Sequence, residues 1–289
     1  MKFEIVYSPE FLNFYEKGHI ECPERVEVIY NYLVKKGVGN FVQPELLDEN
    51  ILSLAHSDFL IENVKNNEFF DPDTPNIPDI YKYSFLAVCG AVKAGEISLK
   101  SEKIGIFLGR PPGHHAGYNF LGGFCYFNNM AITVKKIIKE NRKVAVLDID
   151  GHHGNGTEDI LKMEEGVIYI SLHQYPAFPG TGITSFENCY NFPVAPGTGN
   201  KKYMEKFKMA IDIIKKFSPD IIGISLGLDT HKKDPLLSLN LDETDYYEMG
   251  KEIGSLGIKT FILLEGGYNL EVIGSSFYCF ISGIEKGKK

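Results

Sequence analysis

Short runs rich in Ile, Val, Phe and Leu recur along the chain at 3–7, 104–108, 144–149, 167–172, 221–226 and 260–264, each bounded by Gly, Asp or Pro. Runs of this length, rich in Ile and Val, predict strands buried on both faces. Between them, 83–100, 130–141, 203–217 and 243–256 repeat apolar residues at helical spacing and carry charge on the outer face. Strands that alternate with helices need crossover connections. The expected fold is therefore α/β, with a largely parallel sheet covered on both faces. The piece Asp71-Pro72-Asp73-Thr74-Pro75-Asn76-Ile77-Pro78 is expected to be a surface loop, because each proline lacks the amide donor that a helix interior or central strand requires. No Ser/Gly-rich linker, charge block or long repeat marks a boundary, so residues 1–289 are expected to form a single domain.

Composition narrows the function classes. With 44% hydrophobic and 24% charged residues, the chain is neither disordered nor a low-complexity fibre. Thirty Lys+Arg against 38 Asp+Glu leave a net charge of −8, which argues against nucleic-acid partners and suits cationic small molecules or lysine-rich tails. The five cysteines (Cys22, Cys89, Cys125, Cys189, Cys279) form no CxxC pair. That speaks against a disulfide framework or a thiolate zinc site and for a reducing, cytoplasmic location. No apolar stretch approaches the roughly 18 residues of a membrane span, and the start MKFEIVYSPE lacks a leader pattern, so neither membrane association nor export is expected.

Parallel sheets bind ligands beyond the carboxyl ends of their strands, and the polar residues of this chain collect there. After 104–108 comes Gly109-Arg110-Pro111-Pro112-Gly113-His114-His115-Ala116-Gly117. Within and after 144–149 come Asp148, Asp150, His152, His153 and Asn155, after 221–226 comes Gly227-Leu228-Asp229-Thr230-His231, and after 260–264 comes Glu265-Gly266-Gly267-Tyr268-Asn269. Residues two apart on an extended segment share a side, so Asp148, Asp150 and His152 can point together. Asp150 and His152 make a two-ligand clip, and Asp229, from another strand end, is the natural third ligand of a catalytic zinc. Turns and helix caps also use Asp, but the density of Asp, His and Gly here exceeds that need. His114 and His115, in a stiff Pro/Gly loop, can serve as general base and electrostatic partner if Asp148 and Asn155 orient their rings. Tyr268 can donate a hydrogen bond to an oxyanion, although most of the 16 tyrosines must be packing residues. Phe124 and Phe178 can form a narrow slot for an alkyl chain. Gly180-Thr181-Gly182 lacks the full phosphate-loop pattern, which disfavours nucleotide binding.

In content and order these motifs, with Ser171-Leu172-His173 and Phe178-Pro179-Gly180-Thr181-Gly182, resemble the zinc-dependent histone deacetylase family. The likeness runs from His19-Ile20-Glu21-Cys22-Pro23-Glu24-Arg25 to Tyr268-Asn269. It is greatest to the class II enzymes and their acetylpolyamine amidohydrolase and acetoin-utilisation relatives. The resemblance implies the arginase-deacetylase fold, with an eight-stranded, mostly parallel sheet between helices. It implies zinc, or alternatively ferrous iron, on Asp150, His152 and Asp229. His114 and His115 become the tandem catalytic histidines, paired with Asp148 and Asn155, and Tyr268 polarises the scissile carbonyl. Phe124 and Phe178 become tunnel walls, Gly123 a main-chain acceptor for the substrate amide, and Asp73 a rim aspartate. A structural potassium ion would sit on Asp148, Ser171 and the carbonyls of Asp150, His152 and Leu172.

The implied activity is hydrolysis of linear amides by a metal-activated water, releasing acetate from acetylated lysine side chains or small acylated amines. Leu236 stands where polyamine-selective relatives place a glutamate, and 66–81 is short for their dimerising insertion, so a polyamine amidohydrolase is the alternative. A non-catalytic acyl-lysine binder is the alternative outside enzymes. A binuclear ureohydrolase would need more carboxylates than the strand end at Asp229 offers.

Overall fold

The computed structural model describes residues 2–288. In chain order the strands are β1 (Phe3–Val6), β2 (Asn40–Val42), β3 (Ile104–Phe107), β4 (Val144–Asp148), β5 (Val167–Gln174), β6 (Cys189–Val194), β7 (Ile221–Leu226) and β8 (Lys259–Leu264). They form one eight-stranded sheet in the order β2-β1-β3-β8-β7-β4-β5-β6, and every pairing is parallel. All the apolar runs read as strands are strands. Two that carry no such signal, β2 and β6, occupy the edges, where burial is partial. β6 even holds Pro193, which an edge tolerates because one side of it has no ladder to complete.

The helices are α1 (Glu24–Lys35), α2 (Asp58–Lys65), α3 (Ile80–Lys100), α4 (Asn129–Ile138), α5 (Asn155–Leu161), α6 (Asn200–Phe217), α7 (Glu243–Ser255) and α8 (Ile273–Gly287). They divide between two cores. On one face Ala145 and Leu147 of β4 meet Val26 and Ile29 of α1, Phe207 of α6, Met249 of α7 and Phe280 of α8. On the other, Val144 and Val146 meet Leu60 of α2, Val88 of α3, Met130 of α4 and Leu161 of α5. This is the two-residue alternation of a strand covered on both sides, and it explains why these segments read as unbroken apolar runs. No helix among the described residues is long and apolar enough to cross a membrane.

The topology settles where chemistry can collect. The strand ends flagged by their polar residues, those of β3, β8, β7 and β4, are four consecutive neighbours in the sheet. Asp148 at the end of β4 lies level with Ser225 of β7 on one side and Ser171 of β5 on the other. The Pro-rich piece is an irregular loop at the surface, with Thr74 buried and Asp73 exposed.

Candidate metal centre

Just beyond β4 and β7 the chain brings Asp150, His152 and Asp229 together, with one donor atom from each within 4.8 Å of the others. His152 Nδ1 lies 2.7 Å from Asp229 Oδ2 and 3.3 Å from Asp150 Oδ1. Main-chain amides hold the carboxylates in place: Gly151 N–H donates to Asp229 Oδ1 and Gly266 N–H to Asp150 Oδ2, both at 2.8 Å. A Cβ on Gly266 would stand 2.6 Å from Asp150 Oδ2, 3.1 Å from Asp229 Oδ2 and 3.3 Å from the Tyr268 hydroxyl. The two carboxylates and the phenol therefore face one small space that only glycine leaves open.

Both aspartates are fully buried. Burial, and then the charge of Asp150, push the Asp229 carboxyl up to about 7. Burial also acts to raise Asp150, but His114 and His152 hold it well below the usual carboxylate range. Two facing carboxylates at this depth are costly without a cation. The donor set, two carboxylates and one imidazole, fits zinc or ferrous iron.

The tandem histidines sit beside this group in the loop after β3. His114 Nδ1–H donates to Asp148 Oδ2 at 3.1 Å, and that oxygen also accepts the Tyr169 hydroxyl at 2.9 Å. Burial disfavours charge on His114, yet Asp150 and Asp148 push its pKa up to about 10. His115 Nδ1–H donates instead to the neutral Asn155 Oδ1 at 2.8 Å. Burial and the charges of His114 and His152 hold His115 well below the usual histidine range. The two rings, with centroids 4.0 Å apart, thus differ in protonation because one faces a carboxylate and the other an amide.

Above them opens a cavity of about 310 Å³ lined by Asp73, His115, Gly123, Phe124, His152, Gln174, Ala177, Phe178, Leu236, Leu237 and Tyr268. The Phe178 ring stands edge-on to His115 at 5.0 Å, and Phe124 edge-on to Tyr268 at 5.8 Å. Gly123 has φ +54°, and a Cβ there would run into the His115 ring. Phe124 itself has φ +69°, a strained conformation for a side-chain-bearing residue, held where its ring must face the cavity. Leu236 and Phe178 are 41% and 47% exposed and stand at the mouth with Asp73. Of the residues assigned to potassium, Asp148 and Ser171 are register partners on adjacent strands, and Leu172 follows in β5.

The family model of the histone deacetylase domain matches residues 19–284. This chain belongs to the histone deacetylase family. A probable deacetylase of Methanothermobacter thermautotrophicus is 33% identical over 300 residues, spanning 97% of this chain and 90% of that protein. Acetylpolyamine amidohydrolase 1 of Pseudomonas aeruginosa is 37% identical over 227 residues, spanning 75% of this chain but 66% of its own length. The crystal structure of the HDA15 HD domain is similar at a TM-score of 0.93 and 29% identity, covering 100% of this chain and 89% of that one. The eight-stranded parallel sheet is thus the family's fold, and the Asp-His-Asp group is consistent with its metal site.

Around this histone deacetylase site lie groups that residue patterns did not single out. Arg25 of α1 is fully buried and places its guanidinium 4.7 Å from the centre of the Tyr268 ring. Its Nε–H donates to Gly267 O at 2.6 Å. The Glu21 carboxylate bridges Arg25 and the buried Arg110, at 2.8 Å and 2.6 Å. Asp234 accepts the main-chain N–H of both Tyr268 and Leu236, at 2.8 Å and 3.0 Å, and so joins the phenol to the rim. Gln174 Oε1 accepts from Ser238 N at 2.9 Å beneath the same rim loop. An isolated Arg, Asp or Gln carries no sequence signal of burial, and only the fold discloses these contacts.

Proposed function

We propose that this protein is a metal-dependent amidohydrolase that removes acetyl or a similar short acyl group from lysine side chains or small acylated amines. The observation that carries the reading is a convergence: Asp150, His152, Asp229, His115 and the Tyr268 hydroxyl meet at the floor of a cavity walled by Phe124 and Phe178. Asp150, His152 and Asp229 would hold the metal. When bound, it would ease deprotonation of water and polarise the acyl carbonyl. A potassium ion on Asp148, Ser171 and the carbonyls of Asp150, His152 and Leu172 would brace the ligand loop.

His115 is suited to be the general base. With Nδ1–H committed to Asn155, its Nε2 carries the lone pair, and its depressed pKa keeps it neutral near pH 7. The same ring would return the proton to the leaving amine. His114, drawn to the charged form by Asp150 and Asp148, acts electrostatically. Burial pushes the Tyr268 phenol well above its ordinary value, against the influence of Arg25, so it stays protonated and can donate to the oxyanion. The phenylalanine walls suit an uncharged alkyl stem, and the Gly123 carbonyl and Asp73, both from residues lining the cavity, would take the substrate's amide and backbone.

Metal analysis of natively purified protein, combined with acetate release from a fluorogenic acetyl-lysine peptide, tests this. One divalent ion per chain with release of acetate supports the hydrolase; stoichiometric metal without release replaces it with a non-catalytic acyl-lysine binder. The likeness to the Pseudomonas acetylpolyamine amidohydrolase favours a second substrate reading, whereas Leu236 at the mouth disfavours it. Comparing the peptide with acetylated putrescine, cadaverine and spermidine separates the two.

A further inference from the structure

The reaction described leaves one buried acid without a task. Glu265, the residue after β8, is 1% exposed, and the residues lining the cavity do not include it. Both carboxylate oxygens are engaged. Oε2 accepts the main-chain N–H of Gly113 at 2.8 Å and of His114 at 3.2 Å, and Oε1 accepts the Ser225 hydroxyl at the end of β7 at 2.9 Å. Burial pushes this carboxyl up to about 7, so holding an acid here is unfavourable and calls for a reason.

The reason lies in what it touches. The loop carrying His114 and His115 has neither strand nor helix geometry, so its amides have no ladder to join. On the opposite side the loop is pressed against α4, since a Cβ on Gly113 would come 2.5 Å from Asn129 N. Glu265 closes the open side. Its own main chain is fixed as well: its N–H donates to Leu226 O at 2.9 Å, its carbonyl accepts from Arg25, and the next residue's N–H donates to Asp150. One short segment therefore ties the histidine loop, a metal ligand and Tyr268 to the ends of β7 and β8.

We propose that Glu265 is a positioning residue that locks the His114–His115 loop in register with Asp150 and Tyr268. This rests on the hydrolase reading above. Glu265 acts through the loop, and loss of the tether shifts the imidazoles relative to the reacting atoms, where a displacement of about 1 Å costs roughly 100-fold in rate.

Two variants of similar volume decide it. In Glu265→Gln the amide oxygen can accept both N–H groups and the amide nitrogen can donate to Ser225, so the tether survives without its charge. In Glu265→Leu both amides lose their acceptor. The expected result is that Glu265→Leu lowers kcat by about 100-fold with KM within about threefold and metal content per chain unchanged, while Glu265→Gln stays within about fivefold of the parent. Hydrogen exchange at the amides of 113 and 114 should quicken at least about tenfold in Leu and little in Gln. Unchanged kcat in Glu265→Leu, equal losses in both variants, or unchanged exchange overturns the proposal. A parent protein that releases no amine overturns the hydrolase reading instead, and the exchange comparison still judges the tether. If Glu265→Leu does not fold, Ser225→Ala removes only the Oε1 contact: a fall in kcat of about threefold with faster exchange at 113 supports the tether, and no change in either overturns it.

Discussion

The floor and the mouth of the cavity are built differently. At the floor Asp150 and Asp229 are fully buried and are held by amides from Gly266 and Gly151, with His152 between them. Every one of these groups stands within a few residues of the end of a central strand. At the mouth Leu236 and Phe178 are 41% and 47% exposed, and Asp73 sits in a Pro-rich loop whose side chain faces solvent. The floor inherits its precision from sheet register, as the reaction requires of groups that must be placed to a fraction of an ångström. The mouth rides on loops that can vary without disturbing it, as suits substrate selection. Asp234, which accepts from both Leu236 and Tyr268, is the direct bridge between the two levels.

The comparison makes predictions that differ in size. Asp229→Ala should abolish stoichiometric metal by elemental analysis and lower acetate release by a factor on the order of 1,000 or more, since it removes one of the three candidate ligands. Retained metal would mean that the floor is not assembled as described. Tyr268→Phe should leave metal content intact and cut turnover by about 100- to 1,000-fold, the usual loss for one oxyanion donor; full activity would remove the phenol from the reaction. Leu236→Glu, at the mouth, should leave kcat on acetyl-lysine peptide near the parent's. It should raise kcat/KM for acetylated spermidine by about fivefold, because a partly exposed ion pair contributes about 1 kcal/mol. A large kcat change there would break the separation of floor from mouth.

The smallest effect on activity is expected behind the histidine loop. His56 is buried, donates Nδ1–H to Gly117 O at 2.9 Å and accepts Asn128 N–H on Nε2 at 2.8 Å, so it must be neutral. Burial lowers its pKa to about 4 from the usual 6.5. The unfolded chain therefore binds a proton that the fold refuses. The associated stability, about 3 kcal/mol, is complete above pH 6.5 and is lost as pH falls towards 4. Urea unfolding across that range should show a pH slope shallower by one proton in His56→Gln than in the parent; identical slopes would place the titration elsewhere.

Much of this was legible in residue order. Unbroken apolar runs reveal strands covered on both faces, because nothing but double burial sustains them, and β1, β3, β4, β5, β7 and β8 all appear as such. The edge strands β2 and β6 did not, since β2 is a partly exposed segment of three residues and β6 is interrupted by Asn191 and Pro193. Helices α1, α2, α5 and α8 were not anticipated either; α2 and α5, for example, run for only eight and seven residues, about two turns, which leaves little helical periodicity to read. At the site, Asp150, His152, Asp229, His114, His115 and Tyr268 were visible as polar residues crowded behind apolar runs. Arg25, Gln174, Asp234 and His56 were not, because each is a single polar residue whose partner is a distant backbone group or ring.

The chain's order of residues determined by itself which segments become the six interior strands and which side chains bear the chemistry, since both depend on local pattern: burial on both faces in one case, residue type beside a strand end in the other. The tertiary structure decided what depends on sheet order. The sequence β3, β8, β7, β4 is not the order of the chain, and only that rearrangement sets Asp229 against His152, Tyr268 over the same space, and Glu265 beneath the histidine loop. Hydrogen bonds between residues up to 242 positions apart, such as that of Arg25 with Gly267, arise from packing and leave no local signal to read.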